Sequence, residues 1–432
     1  MAENKPTFRV LIAGAGIAGL ATAIALSRIS EIPNLDIQLY EQAPELTEIG
    51  ASIALSPNGM RTLEKLGVHN ALTDENGYRG PSGIPQIVRH WKTNQVVTVD
   101  THFNVPDPRH HTTRFHRGHL HSALLQHVPK DSIHLNKKVA SAAATDDKVT
   151  LYFEDGSEAH GDLLIGADGI KSYQLKFSGK VFARSTFDAS LVEGKIPDLP
   201  IDSVHWWGPK DNFFASRLGK GQYTTVGAYD DGRSAEELEK EVSWDQAGNV
   251  EHLREKYKDW NPIVKALTEL TPYTRLYPNF AGEPLPTWVL AARATLVGDA
   301  AHTHGGAFAA GGSLALDDSF ALALALRHAF SLAEPGAFNN GSSYIRKALE
   351  LYDQTRRPHT GRLLEIVHGQ INKKPEAYQS AEEENLALIT KMTKRPDTTW
   401  LSEHDVVEAF QQVLKHEQAT GFEQTGAQKS RL

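Results

Sequence analysis

The chain has 432 residues, a formal net charge of −8 and a pI near 6.2, and it contains no cysteine. The acidic balance argues against a nucleic-acid partner, and the lack of cysteine excludes disulfides, thiolate metal sites and cysteine nucleophiles. No apolar run approaches the roughly 18–20 residues that cross a bilayer, and the start lacks a signal-peptide pattern. These features favour a cytoplasmic protein without membrane contact, long enough for two or three structural units.

A glycine-rich turn lies between a short apolar strand, residues 8–13, and a run of good helix formers, residues 20–27. In such a turn the first glycine of a GxGxxG motif permits a tight bend, the second lets the backbone approach a pyrophosphate, and the third allows close packing. The phosphates would lie at the N-terminus of the helix, where N–H groups are free. The predicted cofactor-binding residues of this turn are Gly14, Gly16, Ile17, Ala18 and Gly19.

An acidic residue, Glu41, ends the next predicted strand, residues 36–40. It lies where a carboxylate accepts hydrogen bonds from the ribose of an adenosine group. The sequence therefore predicts a right-handed parallel β-α-β unit that binds a dinucleotide. A glycine turn without a ligand is the alternative, and the motif alone does not separate FAD from NAD.

The rest of the chain changes character twice. From about residue 180 to residue 285, short β-rich pieces alternate with Gly, Pro and Asp turns, which predicts a mostly antiparallel sheet. After about residue 315 the pattern is helical, and Pro358 is expected to end or bend one of these helices. The charged, amphipathic tail begins at Gln379.

Two further strand ends carry an acid in a small-residue turn. Residues 162–169 read DLLIGADG with Asp168, and residues 295–302 read TLVGDAAH with Asp299. Each is compatible with an ordinary strand end. Together with the glycine motif and in this order, they resemble the group A flavoprotein aromatic hydroxylases, FAD-dependent monooxygenases typified by para-hydroxybenzoate and salicylate hydroxylases. The run from residue 304 to residue 318 is most similar to fungal salicylate-hydroxylase-like enzymes.

The resemblance implies that FAD is the cofactor and assigns further residues to it. Asp168 would contact FAD and nicotinamide, Asp299 the ribityl–pyrophosphate part of FAD, and Arg117 the phosphate or ribityl region. Residues 49–53, with Ala51, match a loop of the family. Three residues open a helix whose N–H groups would bond the flavin C2 carbonyl and stabilise reduced flavin: Gly311, Gly312 and Ser313.

The implied fold is α/β, with a Rossmann-like FAD-binding domain of the para-hydroxybenzoate hydroxylase type. It is interleaved with a mostly antiparallel β-sheet substrate domain and followed by C-terminal helices. The expected FAD-binding domain comprises residues 1–75, 105–178 and 286–350. The expected substrate domain comprises residues 76–104 and 179–285. Residues 351–432 form the expected C-terminal helical region.

The sequence departs from the family pattern at two places. Thr303 replaces the proline that usually follows the GDAAH segment, so the pocket wall there is expected to differ. Only nine residues separate Gly169 from Gly179, where relatives carry a longer helical segment. Because the connection after Asp168 is shorter than in relatives, the resemblance supports the nicotinamide role of Asp168 less well than its FAD role.

The implied activity is hydroxylation of a small phenolic compound or phenolic acid, with NADH or NADPH as transient hydride donor and a C4a-hydroperoxyflavin as oxygen donor. The alternatives are decarboxylative hydroxylation, as with salicylate, and dearomatising hydroxylation or epoxidation of a polyketide-type substrate. Two alternatives belong to other functional classes: a non-catalytic flavin-binding protein and a simple NAD-dependent dehydrogenase. The implied partners are the aromatic substrate and O2, and the sequence does not indicate an oligomeric state.

Four side chains are candidates for the substrate side. Arg184 and Arg217 could pair with a carboxylate or phenolate through a planar fork, although surface arginines are equally compatible with the pattern. Tyr229 could bond a phenol or simply pack in the core. His304 could help to deprotonate the substrate or have a structural role.

Two aromatic features allow simpler predictions. The neighbours Trp206 and Trp207 should face opposite sides of a strand, so at most one of them lines a pocket. The histidine-rich stretch from His110 to His127 lacks acidic or cysteine partners, so we assign no metal site to it.

Overall fold

The computed structural model describes residues 7–46, 51–169, 175–230, 232–234, 236–237, 246–332, 342–373 and 376–429. Residues 49 and 50 of the expected loop and the first part of the short connection after Gly169 lie outside these ranges.

A five-stranded parallel sheet forms the centre of the first unit, as the glycine motif predicts. Its strands carry apolar residues on both faces because both faces are covered. Helices Ile17–Ile29 and Gly311–Ser331 pack together on one side. A three-stranded antiparallel sheet covers Leu11 and Leu164 on the other side. The parallel strands, in spatial order, are Ala294–Leu296, Leu163–Gly166, Phe8–Ala13, Leu35–Tyr40 and Ile133–His134. The covering strands are Val139–Ala144, Val149–Phe153 and Glu158–Gly161.

An eight-stranded sheet forms the second unit, and it confirms the mostly antiparallel middle of the chain. Among the described strands, one neighbouring pair is parallel, Ile87–His90 with Val204–Trp207. Helices Val250–Tyr257 and Pro262–Leu270 bury one face of this sheet. Its strands, in spatial order, are Gln246–Gly248, Thr274–Gly282, Leu175–Asp188, Gln222–Tyr229, Asn212–Arg217, Val204–Trp207, Ile87–His90 and Val96–Val99.

A small antiparallel sheet lies between the two units. Its strands are Ser52–Leu55, Thr113–His116 and Gly77–Tyr78. The Ser52 hydroxyl accepts a hydrogen bond from the Thr224 hydroxyl of the large sheet at 3.0 Å, so the two sheets face each other. Helices Pro57–Lys65 and Arg117–Leu125 follow its strands. The 3-10 helices among the described residues are His69–Leu72, Pro108–His110, Lys130–Ser132, Ala189–Leu191, Ala291–Arg293 and Ala307–Ala309.

The C-terminal part is helical, and of the two outcomes expected at Pro358, an end or a bend of the helix, the end is not found. Helix Ser342–Ile371 continues through this proline. A proline inside a helix removes one backbone hydrogen bond, and the buried packing of Leu349, Tyr352 and Leu363 on both sides of it stabilises the helical path. The remaining helices are Asp299–His302, Ala381–Thr393, Thr399–Ser402 and Val406–Lys429. Within the described part of the chain, no helix has the length and apolar character needed to cross a membrane.

Two partly buried histidines stack where the C-terminal segment meets helix Ser342–Ile371. The rings of His359 and His404 lie 3.9 Å apart between centroids. Within the described structure, neither Nε2 has a hydrogen-bond partner. Burial, followed by the charge of Arg356, lowers the pKa of His359 to about 2 and that of His404 to about 3.

This pair is expected to make the protein acid-sensitive below pH 6.5. In the unfolded chain these two histidines take up protons with a pKa of about 6.5, whereas in the folded chain their lowered pKa values keep them neutral. Protons therefore bind preferentially to the unfolded chain, and stability is lost as the pH falls below 6.5. Each such histidine contributes about 1.4 kcal/mol per pH unit in this range. His404→Gln should therefore show a smaller fall in melting temperature between pH 7.5 and 5.5 than the wild type. The exposed His160→Gln is the control, and equal pH dependence in all three proteins would contradict the assignment.

Candidate active site

The glycine turn after the first strand leaves one open position on its surface. Gly14 has φ +106°, and a Cβ there would lie 2.5 Å from the carbonyl oxygen of Ala167. A Cβ on Gly19 would overlap the carbonyl oxygen of Gly14. A Cβ on Gly16, in contrast, would meet no atom within 4 Å. The packing of the chain itself therefore requires the first and third glycines, whereas the second borders free space.

The residues around this turn hold it in place and leave its donors available. Glu41 accepts hydrogen bonds from the N–H groups of Ala15 and Ala43, each at 2.9 Å. His121 Nε2 lies 2.8 Å from the Ala15 carbonyl oxygen. No side chain among the described residues caps the N-terminus of the helix that begins at Ile17. The turn thus presents free N–H groups and a helix dipole next to a carboxylate at a strand end, which suits a dinucleotide.

The motifs that are far apart in the sequence meet at this turn. Gly14 packs on the backbone between Ala167 and Asp168, the exposed acid of the first acidic motif. Gly298 of the second acidic motif has φ +61°, and a Cβ there would lie 2.9 Å from the Cβ of Ala18. Asp299 follows Gly298 directly and begins a short helix. The proximity of these motifs is what a single ligand would require.

A buried charge network fixes the second acidic motif. Asp318, on the long helix Gly311–Ser331, accepts a hydrogen bond from the N–H of Gly298 at 3.0 Å. Its carboxylate also lies 2.6 Å from His302 Nε2 and 2.8 Å from Arg356 Nε. Burial would raise the pKa of Asp318, but its interactions with His302 and Arg356 outweigh this effect and lower the pKa to about 2. The network places the turn at Gly298 rigidly against the glycine motif.

The N-terminus of helix Gly311–Ser331 has no side-chain cap among the described residues. The Ser313 hydroxyl accepts the N–H of Ser56 at 2.9 Å, so this side chain packs between helices and only its backbone remains available to a ligand. His304 is 2% exposed, and its Nδ1 lies 3.1 Å from the carbonyl oxygen of His302. Burial lowers the pKa of His304, which keeps the imidazole neutral at neutral pH.

Ala51 and Arg117 connect the small sheet to this region. The carbonyl oxygen of Ala51 accepts the N–H of Arg117 at 2.8 Å, where helix Arg117–Leu125 begins. The charge of Arg117 acts on Arg184 and Tyr277 of the large sheet. Arg117 therefore lies between the two units, on the side where the predicted flavin residues lie.

One row of side chains crosses the face of the large sheet that is turned toward the first unit. Arg184, Val226, Phe214 and His205 are in register on four neighbouring strands. Residues in register project from the same face. The Arg184 guanidinium lies over the Phe182 and Tyr277 rings, at 5.2 and 5.5 Å from their centroids. Its Nε is buried without a hydrogen-bond partner among the described residues.

The structure does not bring Arg217 and Tyr229 to this row. Both lie on the opposite face, because their positions alternate with those of the row along their strands. Tyr229 is 1% exposed and packs in the core under the helices, in contact with Tyr257. Arg217 forms an ion pair with Glu193 at 2.9 Å. Which face of a strand each of these two residues occupies depends on the pairing register, so it could not be predicted from the sequence.

The tryptophan prediction is confirmed. Trp206 is buried in the core of the second unit, and Trp207 points to the other face of the sheet. The imidazole of His205, next to it, is neutral because burial, followed by the charge of Arg395, lowers its pKa to about 3.

Sequence reasoning missed three residues of this region: Arg114, His205 and Asp318. Arg114 is 9% exposed and stacks over Phe214, 5.0 Å from the ring centroid. A faint signal existed for Asp318, since the pair Asp317–Asp318 lies in an otherwise apolar helix. A buried charge in such a helix requires partners.

These features fit FAD. The open position at Gly16, the uncapped helix N-termini and Glu41 suit the pyrophosphate and the adenosine ribose. The loop at Gly305 and Gly306 lies between helix Gly311–Ser331 and Arg184. The Nη2 atom of Arg184 would be 3.6 Å from a Cβ on Gly306. A ring system bound at the helix N-terminus would therefore border the row on the large sheet.

Comparison with known proteins agrees with this reading. The family model described as FAD binding domain matches residues 7–339. A 6-hydroxynicotinate 3-monooxygenase of Bordetella bronchiseptica is 27% identical over 85% of this chain and 91% of its own length. A salicylate hydroxylase of Pseudomonas putida is 26% identical over 94% of each chain. The aurachin C monooxygenase/isomerase of Stigmatella aurantiaca is 30% identical over 74% of this chain and 81% of its own.

Solved structures show the same fold. A salicylate hydroxylase in a substrate complex superposes with a TM-score of 0.75 at 21% identity, covering 95% of this chain and 98% of that chain. Klebsiella pneumoniae HpxO, complexed with FAD and uric acid, gives 0.69 at 20% identity, covering 94% and 97%. The chain therefore belongs to the FAD binding domain family, within its FAD-dependent aromatic-ring monooxygenases.

Proposed function

We propose that the protein hydroxylates a small phenolic compound or phenolic acid, with NADH or NADPH as reductant. One oxygen atom of O2 enters the ring and the other leaves as water, while the nicotinamide supplies a hydride and solvent supplies a proton. Bound FAD supplies the redox chemistry. The proposal places the reaction in the cytoplasm, where both nicotinamides are available.

The observation that carries the proposal is the row on the large sheet. A guanidinium at Arg184 borders an apolar floor made by Val226 and Phe214, next to the loop at Gly306. Phenolate formation makes a ring electron-rich, and a nearby cation stabilises phenolate over phenol. The apolar residues accommodate the ring and keep water away from it.

His304 and the predicted FAD residues complete the proposal. His304 is neutral and has an unpartnered Nε2 among the described residues, so it could accept a proton from a phenol hydroxyl within reach. Asp168, Asp299, Gly311 and Gly312 remain the proposed FAD contacts. We leave Arg217 and Tyr229 out, because they lie on the face of the large sheet opposite the row.

The direct test is oxidation of NADH and NADPH by the purified holoprotein with a panel of phenols and phenolic acids, together with product masses. Stimulated oxidation and a product heavier by one oxygen are expected. Loss of carbon dioxide would make the reaction decarboxylative. Flavin that is never reduced with any aromatic compound would contradict the proposal.

Arg184→Gln is expected to lower kcat/KM for phenols by about 10- to 100-fold, because a charge-assisted contact to the substrate contributes about 1.5–3 kcal/mol. The reduced rate should appear without loss of bound FAD. Arg217→Gln is the matched control: it lies on the opposite face of the same sheet, paired with Glu193, and should leave kcat/KM unchanged. Equal effects of the two substitutions would argue against a substrate role for Arg184.

A further inference from the structure

A second buried guanidinium, Arg114, faces the row on the large sheet from the small sheet between the two units. Strand Thr113–His116 buries Phe115 in the core of the FAD-binding unit, so its neighbour Arg114 projects the other way. There it reaches the large sheet and stacks over Phe214. Arg114 is 9% exposed, so its charge is almost entirely removed from water.

Within the part of the chain that the structure describes, no carboxylate neutralises this charge. Among the described residues, none lies within ion-pair distance of the Arg114 nitrogens. Arg114 Nη2 donates to the carbonyl oxygen of Pro85 at 3.1 Å, and its Nε has no partner. Asp100 is the acid whose field reaches Arg114, but it is ion-paired with Arg395 at 3.0 Å. Burial lowers the pKa of Arg114 to about 10, which leaves it charged at neutral pH.

A buried cation without a counter-ion is strongly destabilising, so such an arrangement is typical of a ligand site. The unpaired Nε–H points to a ligand that accepts hydrogen bonds and carries negative charge. A guanidinium binds a carboxylate through its planar fork, and the Phe214 ring beneath it supports the guanidinium from one side. The chemistry of the subsite therefore matches the acid group of an aromatic acid.

The spacing within the row supports one ligand that reaches both arginines. Phe214 lies two strands away from Arg184 in the same register, with Val226 on the strand between them. Adjacent strands are 4.7–4.9 Å apart, so these two positions are about 10 Å apart. An aromatic acid that lies along this row would meet the Arg114 guanidinium at its Phe214 end and extend toward the strand that carries Arg184.

We propose that Arg114 binds the carboxylate of an aromatic acid whose ring lies over Val226, with its phenolic end toward Arg184. Arg114 is thus a specificity-determining residue that selects acids over neutral phenols. This inference rests on the proposed function for the ring's orientation. It assigns the substrate's acid group to a residue of the small sheet and not to a residue of the large sheet.

The test is a binding titration that needs no turnover. Benzoate and benzamide are titrated into the wild-type holoprotein and into Arg114→Gln, and the change in flavin absorbance gives each Kd. Wild type should bind benzoate at least about tenfold more tightly than benzamide, since benzamide has the same shape without the charge. In Arg114→Gln, benzoate affinity should fall at least about tenfold, while benzamide affinity should stay within about twofold.

Two variants serve as controls. Arg217→Gln should bind both ligands as the wild type does. Arg114→Lys keeps the charge but not the fork, so it should restore part of the benzoate affinity. The FAD content and melting temperature of each variant are measured as well. If Arg114→Gln loses FAD or stability, the comparison of Arg114→Lys with the wild type still tests the inference.

The inference would be overturned if Arg114→Gln and Arg114→Lys bound benzoate like the wild type, or if the wild type did not prefer benzoate. Its failure is distinguishable from failure of the proposed function. If the protein hydroxylated neutral phenols and the Arg114 substitutions did not change benzoate affinity, only this inference would be contradicted. If benzoate binding depended on Arg114 but no aromatic compound were hydroxylated, the hydroxylase proposal would be contradicted and the assignment of Arg114 to an anion subsite would stand.

Discussion

Asp318→Asn should lower the melting temperature by roughly 5–10 °C and deplete the purified protein of FAD. The substitution removes the negative charge that compensates the fully buried Arg356, and breaking a buried pair in this way costs about 3–5 kcal/mol. It also weakens the acceptor for the N–H of Gly298, which positions Asp299 at the glycine motif. Differential scanning fluorimetry and the ratio of flavin to protein absorbance measure the two effects.

Glu255→Gln is the matched control for this prediction. It also converts an acid to its amide, but in an exposed ion pair. The side chain of Glu255 is 68% exposed and that of its partner Lys258 is 55% exposed. Exposed pairs contribute about 0–1 kcal/mol, so its melting temperature should stay close to that of the wild type. If Asp318→Asn kept both its stability and its FAD, the network would not be what fixes the turn at Gly298.

Gly16→Val should abolish tight FAD binding while the protein without FAD remains as stable as the wild-type protein without FAD. A Cβ at this position meets no atom within 4 Å, so the fold tolerates the side chain. The added atoms instead occupy the space through which a pyrophosphate approaches the backbone. We expect at least a 100-fold rise in the Kd for FAD, measured by flavin fluorescence during titration of the apoprotein.

Two glycines provide the comparison. Gly369 lies in helix Ser342–Ile371, and a Cβ there also meets no atom within 4 Å, so Gly369→Ala should leave FAD binding unchanged. Gly14→Ala should instead destabilise the fold, because a Cβ there would collide with Ala167 and φ is +106°. Wild-type FAD affinity in Gly16→Val would place the pyrophosphate elsewhere.

The sequence by itself determined the cofactor side of this protein. Glycines, acids and helix starts act through backbone geometry within a few residues, so Gly14, Glu41 and the two acidic motifs could be identified from local patterns. Their meeting follows from the parallel order of the strands, because the carboxyl ends of parallel strands share one edge of a sheet. The resemblance to a family with the same motif order identified the chemistry.

Tertiary structure alone decided the substrate side. Whether Arg184, Arg217 or Tyr229 faces the first unit depends on strand phase, which a shift of one residue reverses. The pairing registers place Arg184 on the face turned toward the first unit and the other two on the opposite face. Arg114 reaches Phe214 from a strand 100 residues away in the chain, and a local pattern does not encode such a contact. A buried charge is recognised as unpaired once every neighbour is known, and that knowledge comes from the packing of both units.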